Sequence, residues 1–133
     1  MNFILTTLII IGAIVDTMLG LGFLFDPAGS GGDFGLQSNG PAGLSAMRAD
    51  FTAFFLVSAA CMAWGGWKRR GGVLLVPLAL FSVAFVGRLI NLIVVGPYDL
   101  WWMPMLVELA HIVVLTIAVR RWPAPAAGLS ARI

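Results

Sequence analysis

Four apolar runs, at about 3–25, 46–67, 73–95 and 101–119, constrain this chain more than anything else in it. Crossing a bilayer core of about 30 Å takes about 20 helical residues, and each run supplies roughly that length. The predicted fold class is therefore an all-α membrane protein, a four-helix antiparallel transmembrane bundle occupying residues 1–122. Composition agrees. Only 11% of the 133 residues are charged and 60% are hydrophobic, against about 25% charged in soluble domains. Mean hydropathy is +0.99. The net charge of +2 comes from short clusters at helix ends, so no nucleic-acid partner is expected.

The first run reads as a retained helix. Its start lacks Lys or Arg, its length exceeds a signal-peptide core, and no clean small-residue cleavage site follows. Between the first and second runs, DPAGSGGDFGLQSNGPAGLS (26–45) predicts a non-helical loop, with Ser45 as N-cap of the second helix. Its GSGGDFG lacks the Lys-Ser/Thr ending and the strand-to-helix setting of a phosphate loop, so it reads as a linker. Pro77 falls early in the third run, where it is tolerated. Cys61 is the only cysteine, which excludes an internal disulfide and reads as a small packing residue. The tail 123–133 is predicted to be flexible.

Lys68, Arg69 and Arg70 follow the second run, and Arg120 and Arg121 follow the fourth. Loop 26–45 and link 96–100 carry Asp26, Asp33 and Asp99 and no Lys or Arg. The positive-inside rule then puts both termini and the 68–72 turn in the cytoplasm.

Orientation converts position into depth. Below the outer helix ends, Asn91 lies about 6 Å deep, Arg88 and Glu108 about 10 Å, Asp16 about 14 Å and His111 about 15 Å. Arg48 and Asp50 lie within about 3–8 Å of the outer rim. Every ionisable group within a span thus falls between the midplane and the extracytoplasmic surface. Ionisable groups in a bilayer cost about 2.5–3.5 kcal/mol each on insertion scales, so they persist with partners and a role. The short link GPYDL folds the third and fourth runs back to back and brings Arg88 level with Glu108. An Arg88–Glu108 ion pair is predicted, with Asn91 above it and Asp16 and His111 below. Such a set can bind a polar head group through Arg88, Asn91, Arg48 and Asp50. Glu108, Asp16 and His111 are the candidate acids and bases. The plainer alternative is that the charges only hold helices together. One His with two carboxylates and an adjacent Arg makes a poor metal shell, and no metal or cofactor is expected. No serine–histidine–acid constellation stands out among Thr17, Ser58 and Ser82.

RADFTAFF (48–55), GRLINLIVVGP (87–97) and PMLVELAHIVVL (104–115) resemble the DUF4345 family of small bacterial four-helix membrane proteins, of the DoxX-like group. The resemblance covers about residues 1–122. Arg48, Arg88 and Glu108 stand where that family has an Arg early in helix two, an Arg before a Gly-Pro link and a Glu in helix four. Val95-Gly96 replaces the Asp-Gly often found before the link. The resemblance implies a multi-pass protein of the bacterial inner membrane and assigns no activity. Since some DoxX-like relatives are subunits of quinone-linked oxidoreductases, it also implies a partner-dependent role as one option.

Three functions follow as expectations. The first is an extracytoplasm-facing pocket for a small amphipathic or isoprenoid-like molecule. Its apolar body would lie among Phe51, Phe54, Phe55, Phe81 and Phe85, and acid–base chemistry of isomerase, cyclase or hydrolase type would suit it. The second is an accessory or assembly subunit of a larger membrane complex, or a homo-oligomer. The third, a proton-coupled transporter, is disfavoured because the cytoplasmic half offers no polar stepping-stones.

Overall fold

A computed structural model of the chain describes residues 2–122, and the expected flexible tail 123–133 lies outside them. All regular structure among these residues is helical. The helices are α1 (Asn2–Phe25), α2 (Pro27–Asp33), α3 (Gly40–Lys68), α4 (Gly71–Val94) and α5 (Trp102–Arg121). All but α2 are long and apolar enough to cross a membrane. The architecture is a four-helix membrane bundle running up, down, up, down. Helix α1 packs broadly on α3, α3 on α4 and α4 on α5, while α5 returns to α1 through a thinner contact.

Small residues let the first pair approach closely, as helices in lipid require. A Cβ on Gly20 would sit 2.7 Å from Leu56 and 3.2 Å from its backbone nitrogen. The Thr52 hydroxyl crosses the same seam and donates to the Gly20 carbonyl at 3.3 Å. At the end carrying the basic residues, the Gly71 amide donates to the Trp122 carbonyl at 2.7 Å. That bond ties the end of α5 to the α3–α4 turn.

The expectation of an unstructured loop over 26–45 is corrected. Asp26 caps α2 by accepting the Gly29 amide at 3.0 Å, and Pro27 follows where a missing amide hydrogen costs nothing. Capping and burial of Pro27 and Gly31 outweigh the poor helix propensity of PAGSGGD. Helix α3 starts at Gly40, six residues earlier than expected, so its N-cap is Asn39 rather than Ser45. Pro41 lies in its first turn, where it favours initiation. Removing the α2 cap by Asp26→Ala is expected to cost about 1 kcal/mol locally. Amide exchange should quicken over residues 27–34 and stay unchanged in α1, α4 and α5.

The interior has two apolar clusters. One, near the basic end, joins Leu5, Ile9, Met62, Leu74, Leu115 and Ala118 across all four long helices. The other, near the loop end, joins Phe23, Met47 and Phe55 beneath α2. The buried polar residues Asp16, Ser58 and Glu108 belong to neither cluster.

Candidate functional site

Helices α4 and α5 are joined by a short link, so their register follows from counting. Residues 88 and 108 come level, and Arg88 Nε donates to Glu108 Oε1 at 2.7 Å. The Glu108 side chain is 8% exposed and that of Arg88 33%, so the acid is inside and the guanidinium reaches towards the surface. Glu108 Oε2 is buried without a hydrogen-bond partner.

The second pair joins helices far apart in sequence. His111 Nε2 on α5 lies 4.0 Å from Asp16 Oδ1 on α1, and Asp16 is 1% exposed. His111 Nδ1 lies 2.8 Å from the Val107 carbonyl, one turn back on its own helix. The imidazole also stacks on Phe81 of α4, with ring centroids 4.2 Å apart. Contacts from three sides thus fix the ring. A Cβ on Gly12 would stand 3.0 Å from Nε2 and 3.3 Å from the Met62 methyl, so any larger residue here must displace the ring or the methyl slightly.

Ser58 is a buried polar residue that the apolar pattern gave no reason to place inside. Thr17 and Ser82 spend their hydroxyls on carbonyls four residues back, the usual outlet in apolar helices. Ser58 is fully buried and its Oγ has no partner. The contacts Gly12–Met62 and Gly20–Thr52 set the α1–α3 register and bring Ser58 to the level of Asp16. In sequence it reads as one more small residue in FLVSAAC.

The remaining expected site residues do not join these pairs. Arg48 is exposed and its Nε donates to the Leu24 carbonyl at 3.0 Å, closing the end of α1. Asn91 and Asp50 are exposed. Three residues of helix turn the chain through about 300°, and the offset of about 60° from a full turn carries Asn91 past the Arg88 face. Of the expected set, the structure brings Arg88 to Glu108 and Asp16 to His111, and leaves Asn91, Arg48 and Asp50 outside both pairs.

The expected aromatic pocket is corrected too. Phe23 stacks on Phe51 at 4.6 Å, Phe55 meets Phe54 edge-on at 5.1 Å, and Phe54 meets Phe81 edge-on at 5.5 Å. These rings fill one another's space instead of lining an opening. Phe85 stands apart and lines a shallow recess with Trp101, Trp102 and Met105.

The larger cavity lies where α5 meets α1 most thinly. It holds about 310 Å³ between Leu8, Gly12 and Val15 on one side and Val107, His111 and Leu115 on the other. His111 is its single polar lining residue. Among the described residues, no three His, Cys, Asp or Glu side chains gather as a metal shell.

Fold and site together define a multi-pass helical membrane protein with two ionisable pairs inside its spans. No family model, curated protein or solved structure matches the chain.

Proposed function

We propose that this protein binds a small lipophilic molecule that enters sideways from the bilayer between α1 and α5. The observation that carries the proposal is the groove of about 310 Å³, apolar throughout except for His111. An apolar body with one polar group matches such a lining, as ligand sites in general pair broad apolar walls with few polar anchors. If the bound molecule reacts, His111 is the acid or base at the groove wall, with Asp16 4.0 Å behind it. Glu108 is held by Arg88 and serves the α4–α5 contact. Isomerisation, cyclisation or hydrolysis by acid–base steps fits that pair. The proposal includes a bacterial inner-membrane location, cytoplasmic termini and membership of the DUF4345 family, none of which assigns the ligand.

Gly12→Leu puts a branched side chain into the groove and against His111, where even a Cβ meets the ring. Native mass spectrometry of protein released from nanodiscs is expected to show a small bound mass on the wild type and none on Gly12→Leu. The same mass on both proteins would overturn the groove. Additional protein chains released with the wild type would favour the accessory-subunit role instead.

A further inference from the structure

We infer that the basic end of the bundle is a binding site for an anionic phospholipid with two phosphates, of the diphosphatidylglycerol (cardiolipin) type. This site is separate from the groove between α1 and α5.

Lys68, Arg69, Arg70, Arg120 and Arg121 are all exposed at this end. They come from two stretches far apart in the chain. One backbone bond brings those stretches together, since the Gly71 amide donates to the Trp122 carbonyl at 2.7 Å. Arg70 and Arg121 are the immediate neighbours of the bonded residues, so the two clusters flank a single contact. No carboxylate answers them. Asp26, Asp33, Asp50 and Asp99 lie towards the loop end, and Asp16 and Glu108 are buried inside the spans. Among the described residues, ion pairs join only Arg88 to Glu108 and His111 to Asp16. Five cations thus face outwards with their charge uncompensated by the chain.

Two further observations turn that charge towards lipid. Trp64 and Trp67, 52% and 73% exposed, occupy the last turns of α3. Exposed indoles on spanning helices mark the level of the head groups. Lys68 Nζ stands over the Trp64 ring, 5.7 Å from its centroid, so the cations begin at phosphate depth. Arg69 supplies the second observation. It closes α3 in the left-handed conformation, φ 53°, a place that glycine fills without steric cost. Arginine there lowers backbone stability and adds a cation to the turn, which separates its surface role from its role in the fold.

Head-group chemistry fixes the class. Guanidinium groups take phosphate oxygens through paired N–H bonds, and basic pockets at the ends of spanning helices hold multiply charged head groups. A single phosphate engages one cluster. Two phosphates joined through one glycerol can meet the 68–70 turn and the 120–121 pair together, the second attachment being intramolecular. A zwitterionic head group brings its own cation beside the five already present.

Purified protein in phosphatidylcholine nanodiscs containing equal amounts of cardiolipin and phosphatidylglycerol tests the site, with retained lipid read by native mass spectrometry. Cardiolipin is expected to be retained at least about fivefold over phosphatidylglycerol, the gain from engaging one further cation. Arg69→Gly and Arg121→Gln should each lower cardiolipin retention about fivefold. Arg69→Gly should also unfold at a temperature equal to or above that of the wild type, so that its loss of lipid is not a loss of fold. Gly12→Leu should retain cardiolipin as the wild type does. Equal retention of the two lipids would overturn the two-phosphate site. Cardiolipin held unchanged by both arginine variants, or lost in Gly12→Leu, would overturn its place at this end. An acidic protein chain captured through Arg69 and Arg121 from native membranes, with neither lipid retained, would overturn the lipid assignment in favour of a protein partner.

Discussion

Glu108→Ala is expected to destabilise the bundle by about 3–5 kcal/mol, the usual cost of removing one member of a buried pair. The Glu108 carboxylate is nearly enclosed and accepts from Arg88 Nε at 2.7 Å. Without it the guanidinium stays among apolar helices with no counter-charge. The α4–α5 contact, which those two side chains bridge, should loosen first. Arg88 is 33% exposed and can swing part of its charge towards head groups, so the loss should fall near the lower end of that range. Arg88→Met combined with Glu108→Leu removes both charges and keeps volume, and should recover most of the stability. Unfolding in mild detergent, followed by tryptophan fluorescence or helical circular dichroism, measures all three proteins. A single variant as stable as wild type would show that the pair contributes nothing. A double variant as weak as the single would show that shape, and not charge, is what the contact needs.

Gly71→Ala is the second large effect, expected to cost about 2–4 kcal/mol from overpacking and a lost backbone hydrogen bond together. A Cβ there would run into the Trp122 carbonyl oxygen and stand 3.0 Å from the Val119 oxygen. Those obstacles are backbone, so no rotamer change relieves them. The end of α5 would have to leave the α3–α4 turn, and the bond from the Gly71 amide to the Trp122 carbonyl would go with it. Gly87, on the same helix, is the control. No atom lies within 4 Å of where its Cβ would stand. Gly87→Ala should therefore stabilise by about 0.5–1 kcal/mol, through helix propensity alone. The same unfolding assay reads both substitutions, and a shift of the same sign in each would refute the packing account.

Legibility in the sequence followed how local each interaction is. Arg88 and Glu108 were legible because a short link joins their helices, and counting along a hairpin gives the register. Asp16 and His111 share neither helix nor hairpin. Their depths suggested a common level, but only the closure of α5 onto α1 brings them to 4.0 Å. Helix α2 was hidden because PAGSGGD is poor helix sequence, and its capping by Asp26 and burial beneath the bundle are not visible in propensity. Asn91 misled for the converse reason: three-residue spacing places it near the Arg88 face, and packing decides on which side of the boundary it falls.

Hydrophobic run length, the basic clusters and the short link were enough to determine four spanning helices, their antiparallel order and one ion pair. Each of these depends on distances along the chain. The phenylalanines were legible as interior residues, but whether they line a cavity or stack on one another depends on how neighbouring helices rotate. So does the position of the open seam. Tertiary structure alone decided that the rings fill the core and that the groove lies between α1 and α5. The reason is that helix rotation and ring closure are set by side chains from all four spanning helices at once, such as Gly12, Met62, Phe81 and His111 meeting at a single level.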